Sequence, residues 1–432
     1  MPITSATWCS TSTARHRRFP PPFELLNANQ PQPLDMTSFE TRLSSDSDGP
    51  FNWTVGYFTS TRDAELDSNI LAVAPDGYPF DPPMLFFQRD DETSLEQQSL
   101  FGEVNYDISQ QLTLTLGARV FDSEFKKTDT TRVDLFGVQI ENPVPVVSEF
   151  DESGEIFKAH LGYDLNDDVL IYGQVSEGFR PGGANQTVVG QPIPQGFESD
   201  SVVNYELGVR SSWLDGMLTL NGAVYHLVWD NIQVTERSPD NLFGYLNNAG
   251  EAQVDGIELE LSWLPTANLE VAATLNAVDA RLTERQPALN NDRAGLKGDD
   301  IPVVPDVTAS LGVQYTWPLR DGMALFARGD VNYTGSSNNT FRDFLIDPNP
   351  DSPTFGQETD TPNDRYAEMD AYAVTNLRLG LEADSWGVDL YINNLSDKRG
   401  ETYHFVDNFR PAPGETYVIR PRTAGLSVYK TF

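Results

Sequence analysis

Short turns join the alternating stretches of this chain in pairs. Fourteen stretches alternate apolar with polar residues, and a fifteenth, Ala424 to Phe432, closes the chain on an aromatic residue. Long polar loops separate the pairs. The turns are Ser45–Pro50, Asp107–Gln111, Asp164–Asp168, Leu214–Gly216, Pro265–Asn268, Leu319–Gly322 and Asp384–Trp386. Short turns at one end and long loops at the other are typical of a transmembrane β-barrel.

The composition excludes several other classes of protein. The 29 Lys and Arg residues stand against 64 Asp and Glu, a net charge of −35, whereas nucleic-acid binding depends on basic patches. No run of 18 apolar residues is present, so a membrane-spanning helix is excluded. Cys9 is the only cysteine, so neither an intrachain disulfide nor a thiolate metal cluster can form.

The two faces of each stretch differ as a barrel wall requires. Gly256–Trp263 has Ile, Leu, Leu and Trp on one face and Gly, Glu, Glu and Ser on the other. Most stretches run 9 to 15 residues, and a tilted membrane strand needs roughly 9–11. Charged residues opposite the apolar face fit a polar lumen. We therefore predict an all-β, antiparallel transmembrane β-barrel with about 15–16 strands in this chain.

Tryptophans and carboxylates mark the two ends of the predicted barrel. Five tryptophans near short turns predict a membrane-interface girdle: Trp53, Trp213, Trp263, Trp317 and Trp386. The long segment Asp63–Glu96 holds nine carboxylates and one arginine, and Ser336–Asp370 holds eight carboxylates and two arginines. An acidic rim suits divalent cations that bridge lipopolysaccharide, or cationic ligands; the alternative is that the loops are acidic in order to stay solvated.

Four segments resemble, in order, the sequence blocks of one protein family. They are Ser38–Thr59 (SFETRLSSDSDGPFNWTVGYFT), Tyr172–Asn185 (YGQVSEGFRPGGAN), Asn393–Lys398 (NNLSDK) and Arg420–Phe432 (RPRTAGLSVYKTF). Through them the chain resembles TonB-dependent outer-membrane receptors over Thr37 to Phe432. Ser396 stands where that family more often has Phe, and Lys430 stands where it usually has an aromatic residue.

This resemblance implies a domain organisation. The family barrel has about 22 strands, and this chain would hold the C-terminal part, with periplasmic short turns, extracellular long loops and Phe432 as the barrel-insertion signal. We expect residues 37–432 to form this barrel portion, without the family's plug domain. We expect residues 1–36 to be an atypical start, disordered or misassigned. Fifteen strands cannot close antiparallel, and one more strand near Phe23–Asp35 would allow closure.

The segment FRPGG is the candidate ligand site. We predict that Phe179, Arg180, Gly182 and Gly183 contact the substrate, with Arg180 pairing with an anionic ligand through its planar guanidinium. The alternative is that the proline and glycines shape the exit from a strand while the arginine tethers a loop.

Other charged residues are expected to serve the structure. Arg119, Arg210, Arg328 and Arg378 would face the lumen and pair with neighbouring carboxylates. Asp397 and Lys398 would form a local ion pair.

Catalysis is not indicated. The four histidines, His16, His160, His226 and His404, are scattered, and none has the spacing of metal ligands. No nucleophile elbow is found. We predict that the protein is not an enzyme and has no cofactor and no metal site.

The resemblance implies a function and a location. The protein would be a receptor and transporter in the bacterial outer membrane for a scarce nutrient, ferric siderophores first, with cobalamin or a saccharide as alternatives. Its partners would be outer-membrane lipid and lipopolysaccharide, the barrel-assembly machinery, a small-molecule ligand, and TonB only through a plug domain; nucleic acid is not expected. A passive porin-like channel and a soluble secreted adhesin remain alternatives.

Overall fold

Antiparallel pairing runs from the first described strand of the chain to the last. The computed structural model describes residues 8–15, 25–134, 137–188, 192–238, 243–248, 250–286, 293–320, 322–349, 351–405 and 415–430. Within these residues no helix is long and apolar enough to cross a membrane.

The described residues form 28 strands. They are β1 (Trp8–Arg15), β2 (Leu25–Gln32), β3 (Leu34–Ser44), β4 (Phe51–Val73), β5 (Pro79–Asp107), β6 (Leu112–Asp134), β7 (Val138–Gln139), β8 (Val146–Asn166), β9 (Val169–Arg180), β10 (Gly183–Ala184), β11 (Gly196–Phe197), β12 (Asp200–Trp213), β13 (Leu218–Asp230), β14 (Gln233–Arg237), β15 (Gly244–Asn248), β16 (Glu251–Thr266), β17 (Leu269–Leu282), β18 (Val307–Pro318), β19 (Ala324–Thr334), β20 (Ser337–Asn338), β21 (Phe344–Ile346), β22 (Glu358–Pro362), β23 (Glu368–Met369), β24 (Tyr372–Ala383), β25 (Trp386–Asn393), β26 (Glu401–Phe405), β27 (Glu415–Val418) and β28 (Thr423–Lys430).

Neighbours in the chain are neighbours in the main sheet. From β3 the pairing proceeds through β4, β5, β6, β8, β9, β12, β13, β16, β17, β18, β19, β24 and β25 to β28, and every pair is antiparallel. These fifteen strands are the fifteen predicted stretches, and the predicted short turns join them at one end. The prediction of an all-β antiparallel barrel is therefore confirmed.

Strands also occupy the start of the chain. β2 continues the line of β3 across Pro33, and its residues Leu26–Asn29 pair with the far end of β4. β1 then pairs with β2 along its whole length. The additional strand beside the predicted fifteen is thus β1, whereas the residues near Phe23–Asp35 that we considered for it mainly extend β3.

The strands near the N-terminus extend far beyond a membrane. β5 has 29 residues, about 95 Å at 3.3 Å per residue, whereas a band of about 25 Å crossed at 45° takes only about 35 Å of strand. The prediction that Asp63–Glu96 is a long loop is wrong, because β4 and β5 pair through it up to a turn at Ala74–Tyr78. The polar stretch Lys126–Glu155 is likewise mostly strand, formed by the ends of β6 and β8.

One face of the sheet carries exposed apolar side chains. On β12 the exposed fractions are 48% for Tyr205, 65% for Leu207 and 37% for Val209, and the same face of neighbouring strands carries Val224, Ile257 and Leu259 at 47–49%. The accessible surface is 25425 Å², about one and a half times the roughly 16,500 Å² expected for a compact soluble protein of this mass. These side chains do not pack against a second layer, so the face is available to acyl chains.

Buried apolar residues gather at the long-loop end. Among the described residues, one cluster joins Leu26, Phe86 and Phe87, a second joins Ile232, Ala252 and Leu282, and a third joins Ala294 with Ile346. The wall of the barrel is held by its backbone ladder, and the loops above it carry their own small cores.

We expect a charged side chain to destabilise the barrel when it is placed on the lipid face but not when it is placed on the lumen face. Leu207→Arg places a cation near the middle of the apolar band and should lower the free energy of unfolding in lipid vesicles by about 2–4 kcal/mol. The control Asn204→Arg lies on the same strand but turns toward the lumen beside Glu206, and should change it by less than about 1 kcal/mol. Urea titration of both variants measures the difference. Equal losses would contradict the assignment of the two faces.

Candidate functional site

The predicted FRPGG segment begins at an ion pair between half-exposed Arg180 and buried Asp200. Arg180 Nε lies 3.0 and 2.9 Å from the two carboxylate oxygens of Asp200, and its Nη2 also contacts Oδ2. Asp200 is only 2% exposed, and it also accepts hydrogen bonds from Trp229 Nε1 at 3.0 Å and from the backbone N–H of Gln233 at 3.2 Å. The guanidinium lies 5.0 Å from the Trp229 ring centroid. Asp200 thus links β9, β12 and β13 at their long-loop ends.

Glycine is required where the segment packs on its neighbour. A Cβ on Gly182 would lie 2.6 Å from the carbonyl oxygen of Phe197. A Cβ on Gly196 would lie 2.3 Å from the Phe150 ring and 2.7 Å from the Gly183 carbonyl oxygen. The β10–β11 hairpin therefore presses directly on the wall strand β8, and no larger residue fits there without displacement.

Phe179 packs on the barrel wall. Its ring stacks on that of Phe121 with centroids 3.8 Å apart and planes 9° from parallel. Phe121 is 7% exposed, and its ring in turn covers Gly154 of β8. This aromatic contact fixes the end of β9, just before the hairpin.

The segment after the hairpin is clamped by amides. Asn185 exchanges two hydrogen bonds with the backbone of Leu246, at 2.7 and 2.8 Å. Gln186 donates to the Gly244 carbonyl at 2.8 Å and accepts from Arg89 Nη1 at 2.6 Å. The segment is therefore tied both to β15 and to the long strand β5. The motif did not indicate these two residues as anchors.

Arg89 belongs to a buried cluster of four charges. Its Nε lies 2.9 Å from Asp91 and 3.9 Å from Asp129, and Lys127 Nζ lies 3.4 Å from Asp91. All four residues are buried, with 3–8% of each residue exposed. Asp129 Oδ2 also accepts the backbone N–H of Thr187 at 2.8 Å. Burial raises the pKa of Asp129 above its ordinary value, although that hydrogen bond and the two cations oppose the shift.

Beside these contacts lies a cavity of about 720 Å³ that is open to solvent at the long-loop end. It is lined by Leu95, Ser123, Phe125, Phe150, Asp151, Glu152, Pro181, Gly182, Gly196, Phe197, Glu198, Ser199, Asn247 and Asn248. Glu152 Oε2 accepts the N–H of Gly182 at 3.2 Å, and the Glu198 backbone and the Asn248 side chain exchange hydrogen bonds of 2.7 and 2.9 Å. The lining presents polar and apolar surface in similar amounts. The volume lies in the usual range of ligand pockets.

The structure separates the four predicted contact residues. Gly182 lines the cavity, whereas Phe179, Arg180 and Gly183 lie in the framework behind it. Their contact with substrate stays a prediction. The motif identified the hairpin, but not the phenylalanines and carboxylates that line the cavity, because most of these come from β6 and β8, 30 to 57 residues before Gly182 in the chain.

The predicted tryptophan girdle stays a prediction, although the positions suit it. Trp213, Trp263, Trp317 and Trp386 are 38–47% exposed near the short-turn ends of their strands, and Trp53 begins β4. Lys430 is the cross-strand partner of Trp386. The predicted insertion signal, Phe432, lies outside the described residues.

The lumen arginines follow two patterns. Arg328 lies 3.6 Å from Asp330, and Arg378 lies 3.5 Å from Asp389, so the expected ion pairs are confirmed there. For the other two arginines the structure instead records aromatic contacts, with Arg119 5.7 Å from the Phe58 centroid and Arg210 5.5 Å from the Tyr172 centroid.

The expected partner of Asp397 is wrong. The carboxylate lies 3.8 Å from Arg399 and accepts the backbone N–H of Arg422 at 2.8 Å. That hydrogen bond, with the nearby cations, lowers the pKa of Asp397. Lys398 instead donates its backbone N–H to Asn394.

A family model matches most of the chain. Residues 4–395 match the family described as TonB dependent receptor-like, beta-barrel. The chain is 23% identical over 347 residues to the pesticin receptor of Yersinia pestis, covering 80% of this chain and 45% of that protein. It is 26% identical over 312 residues to the ferric-pyoverdine M114 receptor PbuA of Pseudomonas sp. (strain M114), covering 71% and 33%. The chain thus spans about half the length, or less, of these curated relatives.

Solved structures share the fold. The ferric yersiniabactin uptake receptor FyuA from Yersinia pestis superposes with a TM-score of 0.74 at 21% identity, over 99% of this chain and 57% of that one. The ferric-catecholate import receptor Fiu from K12 E. coli gives 0.66 at 15% identity, over 99% and 60%. At these identities the likeness concerns the barrel fold.

We expect Asp200 to hold the hairpin in place. Asp200→Ala leaves Arg180 and Trp229 without their acceptor and should lower the local opening free energy by about 2 kcal/mol. Amides of residues 182–188 would then exchange hydrogen about 30-fold faster. Asp230→Ala, at the same end of β13, is the matched control and should leave exchange unchanged. Unchanged exchange in Asp200→Ala would show that the ion pair does not anchor the segment.

Asp129 should make stability depend on pH. Because its folded pKa lies above the ordinary value, the folded chain retains a proton that the unfolded chain has lost, and its contribution to stability falls as pH rises through that interval. Asp129→Asn can still accept the Thr187 N–H. The free energy of unfolding of Asp129→Asn minus that of the wild type should increase as pH rises from about 4 to the raised pKa. Above that pKa the difference should stay constant.

The control for this measurement is Asp122→Asn, which removes an exposed carboxylate from the same strand. Urea titrations at several pH values give the difference between each variant and the wild type. A difference that stays flat for Asp129→Asn, or that matches the control, contradicts the predicted direction.

Proposed function

The chain belongs to the TonB-dependent receptor-like β-barrel family, and from this premise we propose that the complete protein binds and takes up a scarce nutrient, ferric siderophores first. Members of this family are outer-membrane proteins, and this chain is a barrel of the outer membrane. The family consists of transport receptors, and we propose no catalytic role for this one.

The observation that carries the proposal is the cavity at the long-loop end. With the short turns in the periplasm, this end faces the medium, where a receptor meets its ligand. The cavity, about 720 Å³, has room for a drug-sized organic molecule. Relatives named for ferric pyoverdine and a solved uptake receptor for ferric yersiniabactin support siderophores as the first ligand class.

The hairpin would serve as one wall of the binding site. Gly182 meets the ligand through its backbone, while Arg180 and Phe179 hold the hairpin through Asp200 and Phe121. The geometry thus favours the alternative that the arginine tethers a loop. On this proposal Arg180 is a positioning residue, since its guanidinium is already occupied by a carboxylate.

Uptake itself belongs to the whole protein. We propose that ligand bound at the loops passes through the lumen when TonB acts on the receptor, and that lipid, lipopolysaccharide and the barrel-assembly machinery are its other partners. A passive porin-like channel is the second candidate, because a wide antiparallel barrel with a polar lumen would conduct ions.

Binding at the surface of intact cells tests the proposal. The receptor is placed in the outer membrane of a bacterium that lacks its own siderophore receptors, and radioactive ferric siderophores are added with and without an energy poison. We expect saturable binding under both conditions and uptake only in energised cells. Steady conductance in planar bilayers without binding of any siderophore, cobalamin or saccharide would instead support the passive channel.

A matched pair of variants locates the site. Ser199→Trp fills the cavity and should weaken binding about tenfold or more, whereas Ser153→Trp, on the outer face of β8, should leave it unchanged. Equal binding by both variants would place the ligand elsewhere.

A further inference from the structure

We propose that the cavity at the long-loop end selects metal chelates that carry no net negative charge, neutral or cationic. This inference rests on the proposed function and deepens it by naming the charge class of the ligand. It is carried by the carboxylates that line the cavity, by its aromatic walls, and by the way nearby cations are already neutralised.

The ionisable groups among the described lining residues are all acidic. Glu152 and Glu198 line it, and Asp151 contributes to the same wall, although strand alternation turns its side chain toward the other face of β8. Among the lining residues that the structure describes, none is a lysine or an arginine. An anionic chelate would therefore meet carboxylates at close range without a compensating charge, and its negative groups would lose their hydration.

Three cations near the cavity, Arg180, Arg89 and Lys127, have carboxylate partners. Arg180, next to the lining residue Pro181, pairs with buried Asp200. Arg89 and Lys127 pair with Asp91 and Asp129, so that cluster of two cations and two anions is neutral. A ligand anion would have to displace a buried protein carboxylate in order to use one of these cations, and this leaves an uncompensated buried charge.

Arg62 is the basic residue that needs separate comment. It is the cross-strand partner of Leu95, whose side chain lines the cavity, but Arg62 itself does not line it. Arg62 is exposed at the surface of β4, where water and salt screen its charge.

The aromatic walls suit a cation as well. Phe125, Phe150 and Phe197 line the cavity, and the negative faces of aromatic rings attract ammonium and guanidinium groups. The Phe150 ring is held against Gly196, and the Phe197 ring lies 3.0 Å from where a Cβ of Gly183 would sit, so both rings have fixed positions. The phenyl rings provide an apolar surface for the organic part of a chelate, and the carboxylates beside them provide a binding site for its cationic end.

A series of chelates that share one iron core tests the charge class. The probes are ferrioxamine B, which carries a pendant ammonium, its neutral N-acetyl derivative and its anionic N-succinyl derivative. Neutral ferrichrome, anionic ferric citrate and anionic ferric enterobactin widen the panel. Equilibrium dialysis with radioactive iron measures the affinity of the purified receptor in detergent for each probe at low and at high salt.

The expected result is that at least one neutral or cationic chelate binds, and that within the shared-core series the anionic form is weakest. Glu152→Gln, which retains an oxygen to accept the Gly182 N–H, and Glu198→Gln should each weaken a cationic chelate about two- to fivefold relative to a neutral one. The preference should shrink at high salt. Glu96→Gln, on the outer face of β5, is the control and should change nothing.

The other outcomes separate the two proposals. Saturable binding by anionic chelates alone, or tighter binding of the anionic member of the series, overturns the charge class while the receptor function stands. Failure of every chelate to bind, with steady conductance in bilayers, overturns both. Loss of preference in Glu96→Gln equal to that in Glu152→Gln overturns the assignment to this cavity.

Discussion

Backbone hydrogen bonding in hydrocarbon is the constraint on which the rest of the structure depends. No water can satisfy an N–H or C=O group inside a bilayer, so each strand must be paired on both sides, and its side chains must alternate between lipid and lumen. The register between β12 and β13 is continuous over thirteen pairs, from Ser201–Asp230 to Trp213–Leu218. A slip of one residue would turn Leu207 inward and Glu206 toward lipid, which fixes the register strongly.

The same constraint explains which parts of the fold were readable from sequence. Inside the bilayer the two faces meet different solvents, so the period of two is visible, and all fifteen predicted stretches and seven short turns are found. Beyond the bilayer the outer face of β4 and β5 meets water instead of lipid, and the inner face buries charged residues such as Arg89 and Asp91. The apolar period therefore disappears, although the ladder continues to Val73 and Pro79. A segment with nine carboxylates therefore resembled a loop while it formed paired strands.

The site was readable only in part, for a different reason. The FRPGG segment identified the hairpin because glycine and proline have local backbone consequences at Gly182 and Gly183. The role of Arg180 depends on Asp200, which lies twenty residues later, and on Trp229 from the next strand. The lumen arginines show the same limit. The partner of Arg328 is Asp330, two residues along the same strand, so the local sequence indicates it. Arg119 instead lies over Phe58 of β4, which the sequence around Arg119 does not indicate.

Polar clamps, more than apolar packing, position the cavity. The described apolar clusters at this end contain only two or three buried residues each, while the hairpin is held by Asp200, Asn185, Gln186 and the charges around Arg89. Buried ion pairs add little net stability, because desolvation offsets most of their attraction, but removing one partner is strongly destabilising. Such a site is therefore specified in geometry without being especially stable. Breaking a few polar contacts exchanges protein partners for water, whereas separating a large apolar core would expose its surface to water, so the polar clamps set the geometry of this end without a large core.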